Sequence, residues 1–170
     1  LADPEIISFA GGAPAPTLFP AEELAEISAE IIRNNSAVAL QYGVTEGYVP
    51  LKEYVIDRMK KIGNVHSHDD VIITTGGQQV LDLAFKVLLN EGDLAVVESP
   101  SFVGGLNSLR SQNARLKSVK VLSDGLDTDE LESIAKNEKI KVLYTIPTFH
   151  NPSGITMSLE KRKKILELAS

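Results

Sequence analysis

Downstream of residue 70 the chain alternates short apolar runs with longer segments whose apolar residues recur at helical spacing. VIITT (71–75), LAVVE (94–98), RLKSVKVL (115–122) and KVLYTIP (141–147) predict four strands. QVLDLAFKVLLN (79–90) predicts a largely buried helix that ends at Gly92, and FVGGLNSLRSQN (102–113) a helix with Leu106 and Leu109 inward. DTDELESIAKN (127–137) opens with acidic residues, as a helix start does, and in SLEKRKKILELA (158–169) Ser158 is placed to cap the first turn. Short strands alternating with helices predict an α/β fold with a mainly parallel sheet and flanking helices.

The upstream part has a different texture. After a Pro- and Gly-rich opening, FAGGAPAPTLFP, a helix is predicted from about Pro20 to Arg33, with Leu24, Ile27 and Ile31 on one face. A polar stretch containing LQYGVTEGY follows. A second helix opens at Pro50 and places Leu51, Tyr54, Val55, Met59 and Ile62 together.

In parallel α/β sheets, ligands bind where the carboxyl ends of strands lead into helices. That rule directs attention to 74–79, 98–104 and 147–154. TTGGQQ (74–79) leads into a helix N-terminus, where unpaired amides and the helix dipole attract an anion and glycine lets it approach. On local grounds it is either a plain turn or a seat for one phosphate. It lacks the lysine of a nucleotide-binding loop and the glycine spacing of a dinucleotide site. In ESPSFVGG (98–105) Phe102 is either core or a ring for a flat ligand. In PTFHNPSG (147–154) Asn151 is either a turn residue or an amide for a ligand oxygen.

Composition narrows the classes. The 170 residues are 43% hydrophobic and 24% charged, which is ordinary for a folded domain of this length. Seventeen basic residues against 23 acidic ones give a net charge of −6, which disfavours a nucleic-acid surface. The one basic run, Lys161-Arg162-Lys163-Lys164, reads as a solvated helix face. There is no cysteine, and no apolar run long enough to span a membrane, so a cytoplasmic location is the expectation. His66 and His68 stand near Asp69 and Asp70, but at the amino end of the first predicted strand. A solvated loop is therefore expected there and no metal site. His150 falls at the ligand edge, where it is expected to line a pocket without being catalytic.

Taken together, ISFAGGAPAPTLFP, LQYGVTEGYVPLKEYV, TTGGQQ, ESPSF and FHNPSG resemble, in that order, the fold type I pyridoxal 5'-phosphate-dependent aminotransferases. The chain is most similar to their 2-aminoadipate/kynurenine aminotransferase group. The resemblance runs from about Ile6 to the last residue. It implies an N-terminal segment of the small domain with a substrate-proximal loop (1–45), followed by the first part of the cofactor-binding large domain (46–170). It implies a homodimer that moves an α-amino group between an amino acid and a 2-oxo acid, with no nucleic-acid or membrane partner. Gly76, Gly77 and Gln78 would hold the cofactor phosphate, and Phe102, at a position more often Tyr in the group, would stack on the pyridine ring. Asn151 would bond the phenolic O3′. Tyr42 would reach the partner subunit's cofactor phosphate, and Gly12 would lie against the substrate, with Tyr42 and Asn151 also on that side. Cis bonds at Ser99–Pro100 and Asn151–Pro152 are implied as well.

One departure bears on catalysis. The family's Schiff-base lysine, the Asp on the pyridine nitrogen and the carboxylate-binding Arg all follow the NPSG motif. After that motif only one predicted helix remains here, and none of Lys161, Lys163 or Lys164 stands in the family's lysine setting. The expectation is a piece of a longer chain, cut at both ends, that is inactive by itself. The alternative is the aminotransferase-like effector domain of a winged-helix transcription regulator.

Overall fold

The structure is a computed structural model that describes residues 6, 12, 14–63 and 65–170. Most of ISFAGG therefore lies outside the described residues. The chain divides into two compact units, Leu1–Ile73 and Thr74–Ser170.

The first unit holds a short 3-10 turn (Pro16–Leu18), helix α1 (Ala21–Ala39) and helix α2 (Val49–Lys61). Pro50 sits in the first turn of α2, as its missing N–H allows. Helix α1 runs six residues past the predicted end, with a break in helical geometry at Asn35 (φ −135°, ψ 28°). The apolar stripes are real but uncovered: Leu24, Ile27 and Ile31 of α1 and Leu51, Tyr54 and Ile62 near α2 are all exposed. The predicted strand at 71–75 does not form. A strand needs repeated pairing, and the backbone bond to a distant segment made here is Ile73 N–H to Glu46 O, 3.0 Å.

The second unit runs α3 (Gly76–Leu88), β1 (Leu94–Ser99), α4 (Val103–Ser111), β2 (Arg115–Leu122), β3 (Gly125–Leu126), α5 (Thr128–Asn137), β4 (Ile140–Tyr144) and α6 (Leu159–Ala169). The sheet order is β3-β2-β1-β4. β1 is parallel to both neighbours, with Val97 opposite Ser118 and Tyr144. The two-residue β3, which the sequence pattern did not predict, turns back antiparallel on β2.

Alternation along β1 sends side chains to both faces. Leu94 and Val96 join Val119, Leu126, Leu131 and Met157, against which Ile134 of α5 and Ile165 of α6 pack. Ala95 and Val97 join Phe85 of α3 and Leu109 of α4, with Leu106 beside them, so both predicted inward leucines of α4 face this cluster. A strand buried on both faces is what a covered parallel sheet requires. Helix α3 buries less than its composition promised. Phe85 is inside, whereas Val80, Leu83 and Val87 are exposed because nothing among the described residues covers that face.

Ser158 caps its helix as expected, and Asp127, at the head of the acidic run, caps α5 as well. Asp127 accepts from the amides of Asp129 and Glu130 at the start of α5, and Ser158 accepts from that of Lys161 at the start of α6. Between these helices Glu132 lies 2.8 Å from the Lys136 ammonium and 3.0 Å from that of Lys164. Hydrogen bonds from Lys136 and then Lys164 lower its carboxyl to about 2. The folded value lies below the ordinary 4.5, so the stabilisation is complete above that pH and fades as pH falls toward 2. Glu132→Gln is expected to melt below wild type at pH 7. That gap should close between pH 4.5 and about 2 in thermal scans.

Replacing Leu109, which is fully buried, with Ala is expected to cost about 2–5 kcal/mol in denaturant unfolding.

Candidate functional site

Three loops meet the sheet at the carboxyl edge of β1 and β4. The first is the start of α3. Gly76 has φ +75°, a left-handed conformation that favours glycine, and among the described residues no group beyond the adjoining backbone lies within 4 Å of where a Cβ on Gly76 or Gly77 would stand. Among the described residues the amides of Gly77 and Gln78 have no partner outside α3, as expected for a first helical turn. The Thr75 amide is taken by the Gln79 side chain at 2.5 Å.

The second loop follows β1. Ser99–Pro100 is cis, and Phe102 occupies the position just before α4 with its ring half-buried. The side chain of Gln78 donates to Gly104 O (3.1 Å) and Ser108 Oγ (2.8 Å), which ties the first turn of α3 to α4. Gly104 leaves room for this arrangement, since a Cβ there would overlap the Gln78 amide oxygen and the Phe102 ring. Next to it, a Cβ on Gly105 would run into the Tyr144 ring, which packs edge-on against Phe85 at 5.8 Å. Burial, and secondarily the charge of Glu98, raises the Tyr144 phenol above its ordinary value.

The third loop follows β4. Asn151–Pro152 is also cis, and Asn151 is exposed with no hydrogen bond from its side-chain amide to the described residues. His150 beside it is only 2% exposed. Its Nδ1 lies 2.8 Å from Ser153 Oγ and accepts from the Ser153 amide at 3.3 Å. A neutral ring with an accepting Nδ1 carries its proton on Nε2. That nitrogen stands 3.2 Å from Glu98 Oε2, close to the carboxylate but out of line for a hydrogen bond.

The sequence pattern did not bring out Glu98, although one acid ending an apolar strand is the available signal. It is 3% exposed and accepts from Thr145 Oγ1 at 2.7 Å and from the Ile146 amide at 2.8 Å. Arg162 was also missed, and the basic run is not wholly a solvated face. The Arg162 guanidinium donates to Met157 O (3.0 Å), Pro147 O (2.5 Å) and Thr148 Oγ1 (3.0 Å), so it holds both ends of the Asn151 loop. Lys161, half-buried, bonds Asp124 at 2.7 Å. His66 and His68 stack with centroids 5.9 Å apart at an exposed position.

Gly76, Gly77, Gln78, Phe102 and Asn151 thus belong to one unit and one sheet edge. Gly12 and Tyr42 belong to the other unit, where Tyr42 is fully exposed and no described residue crowds Gly12. Chemically, the edge offers free amides for an anion, an aromatic face for a planar ring and an amide for a ligand oxygen.

Comparisons with known proteins bear on this site. The family model for aminotransferase class I and II matches residues 6–170. A 2-aminoadipate transaminase of Thermus thermophilus is 45% identical over 165 residues, 97% of this chain and 40% of the relative. The crystal structure of Pyrococcus horikoshii kynurenine aminotransferase, in complex with PMP, matches with a TM-score of 0.89 at 40% identity, covering 96% of this chain and 42% of that one. The Thermus thermophilus α-aminoadipate aminotransferase LysN, complexed with N-(5′-phosphopyridoxyl)-L-leucine, matches at 0.87 and 46% identity, over 96% and 41% of the two chains. The chain spans about 40% of the length of the curated relative it matches.

Two neighbouring glycines separate packing from site geometry. Gly105→Ala is expected to destabilise by about 1–3 kcal/mol, because the Tyr144 ring is held in the core. Gly104→Ala meets side-chain ends that can swing aside and gains helix propensity, so its melting temperature should stay near wild type. Its Phe102 ring resonances, read by NMR, should shift.

Proposed function

The chain belongs to the aminotransferase class I and II family, and we propose that it is part of an enzyme that uses pyridoxal 5'-phosphate to move an α-amino group between an amino acid and a 2-oxo acid. The observation that carries this reading is the link through Gln78 between an open, glycine-headed helix N-terminus and the turn that bears Phe102. The residues fit the cofactor. Two amides are free at the start of α3, no Cβ blocks the approach, and the buried Ser101 Oγ in the adjacent turn lacks a partner among the described residues.

Pyridoxal phosphate supplies an electron sink that accepts an amino group and returns it to an oxo acid. This chain's residues supply the seat. The Gly77 and Gln78 amides, at the positive end of the α3 dipole, hold the phosphate. Gly76 adopts the left-handed turn that leaves them open. Phe102 covers one face of the ring, and its lack of a hydroxyl removes a hydrogen bond but keeps the stacking area. The Asn151 amide donates to the phenolic oxygen. Gly12 lies on the substrate side, and Tyr42 serves the partner subunit's cofactor in a homodimer. The arm and substrate-proximal loop are 1–45 and the first part of the large domain is 46–170. The protein works in the cytoplasm.

The lysine that moves the substrate proton is not among these residues. Lys161 is engaged with Asp124 and Lys164 with Glu132. Residues 1–170 expressed alone and supplied with pyridoxal phosphate are expected to transfer no amino group. Transfer by that segment would overturn this assignment.

The full chain is expected to bind pyridoxal phosphate stoichiometrically and to exchange amino groups between an amino-acid donor and 2-oxoglutarate, followed by chromatography of the products. Phe102→Ala should weaken cofactor binding about tenfold. A full chain that takes up no cofactor would refute the reading.

A further inference from the structure

We propose that Glu98 is a positioning residue for the cofactor site, whose buried carboxylate sets the Asn151 amide at its working place relative to the Phe102 ring. The inference rests on the cofactor reading above. Its ground is where the sheet ladder stops. β1 and β4 pair as far as Val97 and Tyr144. The next residue on β1 is Glu98, and its side chain takes over the connection. Oε1 accepts from the Thr145 hydroxyl at 2.7 Å and Oε2 from the Ile146 amide at 2.8 Å, the two residues just past the end of the ladder. His150 brings Nε2 to 3.2 Å from the same Oε2.

The polarity of this junction calls for a carboxylate. A hydroxyl and a backbone amide each donate to one of its oxygens, and a carboxylate is the side chain of this length that accepts at both. Glutamine keeps one accepting oxygen for Ile146 and can turn its amino group to the Thr145 oxygen. Leucine leaves both donors without this acceptor in a buried site. Four residues after Glu98 comes Phe102, and one residue after His150 comes Asn151. One side chain therefore joins the turn that carries the stacking ring to the loop that carries the amide. Glu98 touches neither ligand nor reacting atom, so it acts through Asn151.

The test is a double-mutant cycle on pyridoxal phosphate affinity in the full chain, by titration of apoprotein followed in absorbance. Glu98→Leu should weaken binding about tenfold, the scale of losing a buried support to a ligating group. Glu98→Gln should stay within about threefold of wild type, since it keeps the Ile146 bond. Asn151→Ala should weaken binding by a similar factor to Glu98→Leu, and the double variant Glu98→Leu/Asn151→Ala should be no worse than Asn151→Ala alone. Leu131→Ala, a cavity in the opposite cluster, serves as the stability control. It should lower the melting temperature without changing affinity.

Factors that multiply in the double variant, an unchanged affinity for Glu98→Leu, or an equal loss in Leu131→Ala would each overturn the assignment. If Glu98→Leu does not fold, Thr145→Val removes a single donor and replaces it in the cycle, with about a threefold loss expected and the same criteria. A wild-type chain that binds no cofactor would refute the underlying reading. A wild type that binds, with the cycle failing, would refute this inference alone.

Discussion

β1 is bonded on both edges and buried on both faces, and the candidate site depends on that enclosure. A six-residue strand with apolar clusters above and below cannot slip in register, because a shift of one residue would exchange the two clusters. Its carboxyl end is therefore a fixed point. The chain leaves it through a cis proline and a half-buried phenylalanine into α4, while β4 runs parallel beside it and leads into the Asn151 loop.

From that point outward, hydrogen bonds from side chains continue what the backbone ladder began. Glu98 bridges to the segment after β4, Gln78 bridges from α3 to α4, and Arg162 gathers both arms of the Asn151 loop. Two glycines of α4 keep the neighbouring side chains close. Gly104 makes room for the Gln78 amide and the Phe102 ring, and Gly105 for Tyr144. The open space at Gly76 and Gly77 has a different character. Nothing fills it from within the unit, whereas the space at Gly104 and Gly105 is taken up by side chains.

Much of this was legible in the chain. LAVVE, RLKSVKVL and KVLYTIP form strands near the predicted places, and α6 starts at its predicted cap, Ser158, because local periodicity and capping chemistry agree with the tertiary fold there. VIITT failed because strand formation needs a partner, and apolar, β-branched composition cannot supply one. The burial expected of α3 held only in part for the same reason: a stripe announces what a helix can cover and not whether another layer arrives. Two site loops were found by position at strand ends, and the third, at 74–79, by its glycines before a helix although the strand predicted ahead of it does not form. Glu98 and Arg162 escaped because their roles depend on pairs 47 and 14 residues apart, which no local pattern carries.

The division of labour follows from which groups are free and which are occupied. At the carboxyl edge, the free groups are amides and an exposed carboxamide, and these bind and orient without taking up protons near neutral pH. The titratable groups nearby are committed: Glu98 to Thr145 and Ile146, Tyr144 held neutral by burial, Lys161 and Lys164 to acids on the α5 side. An edge built this way is suited to holding and orienting a ligand, which is the part the proposed function gives it.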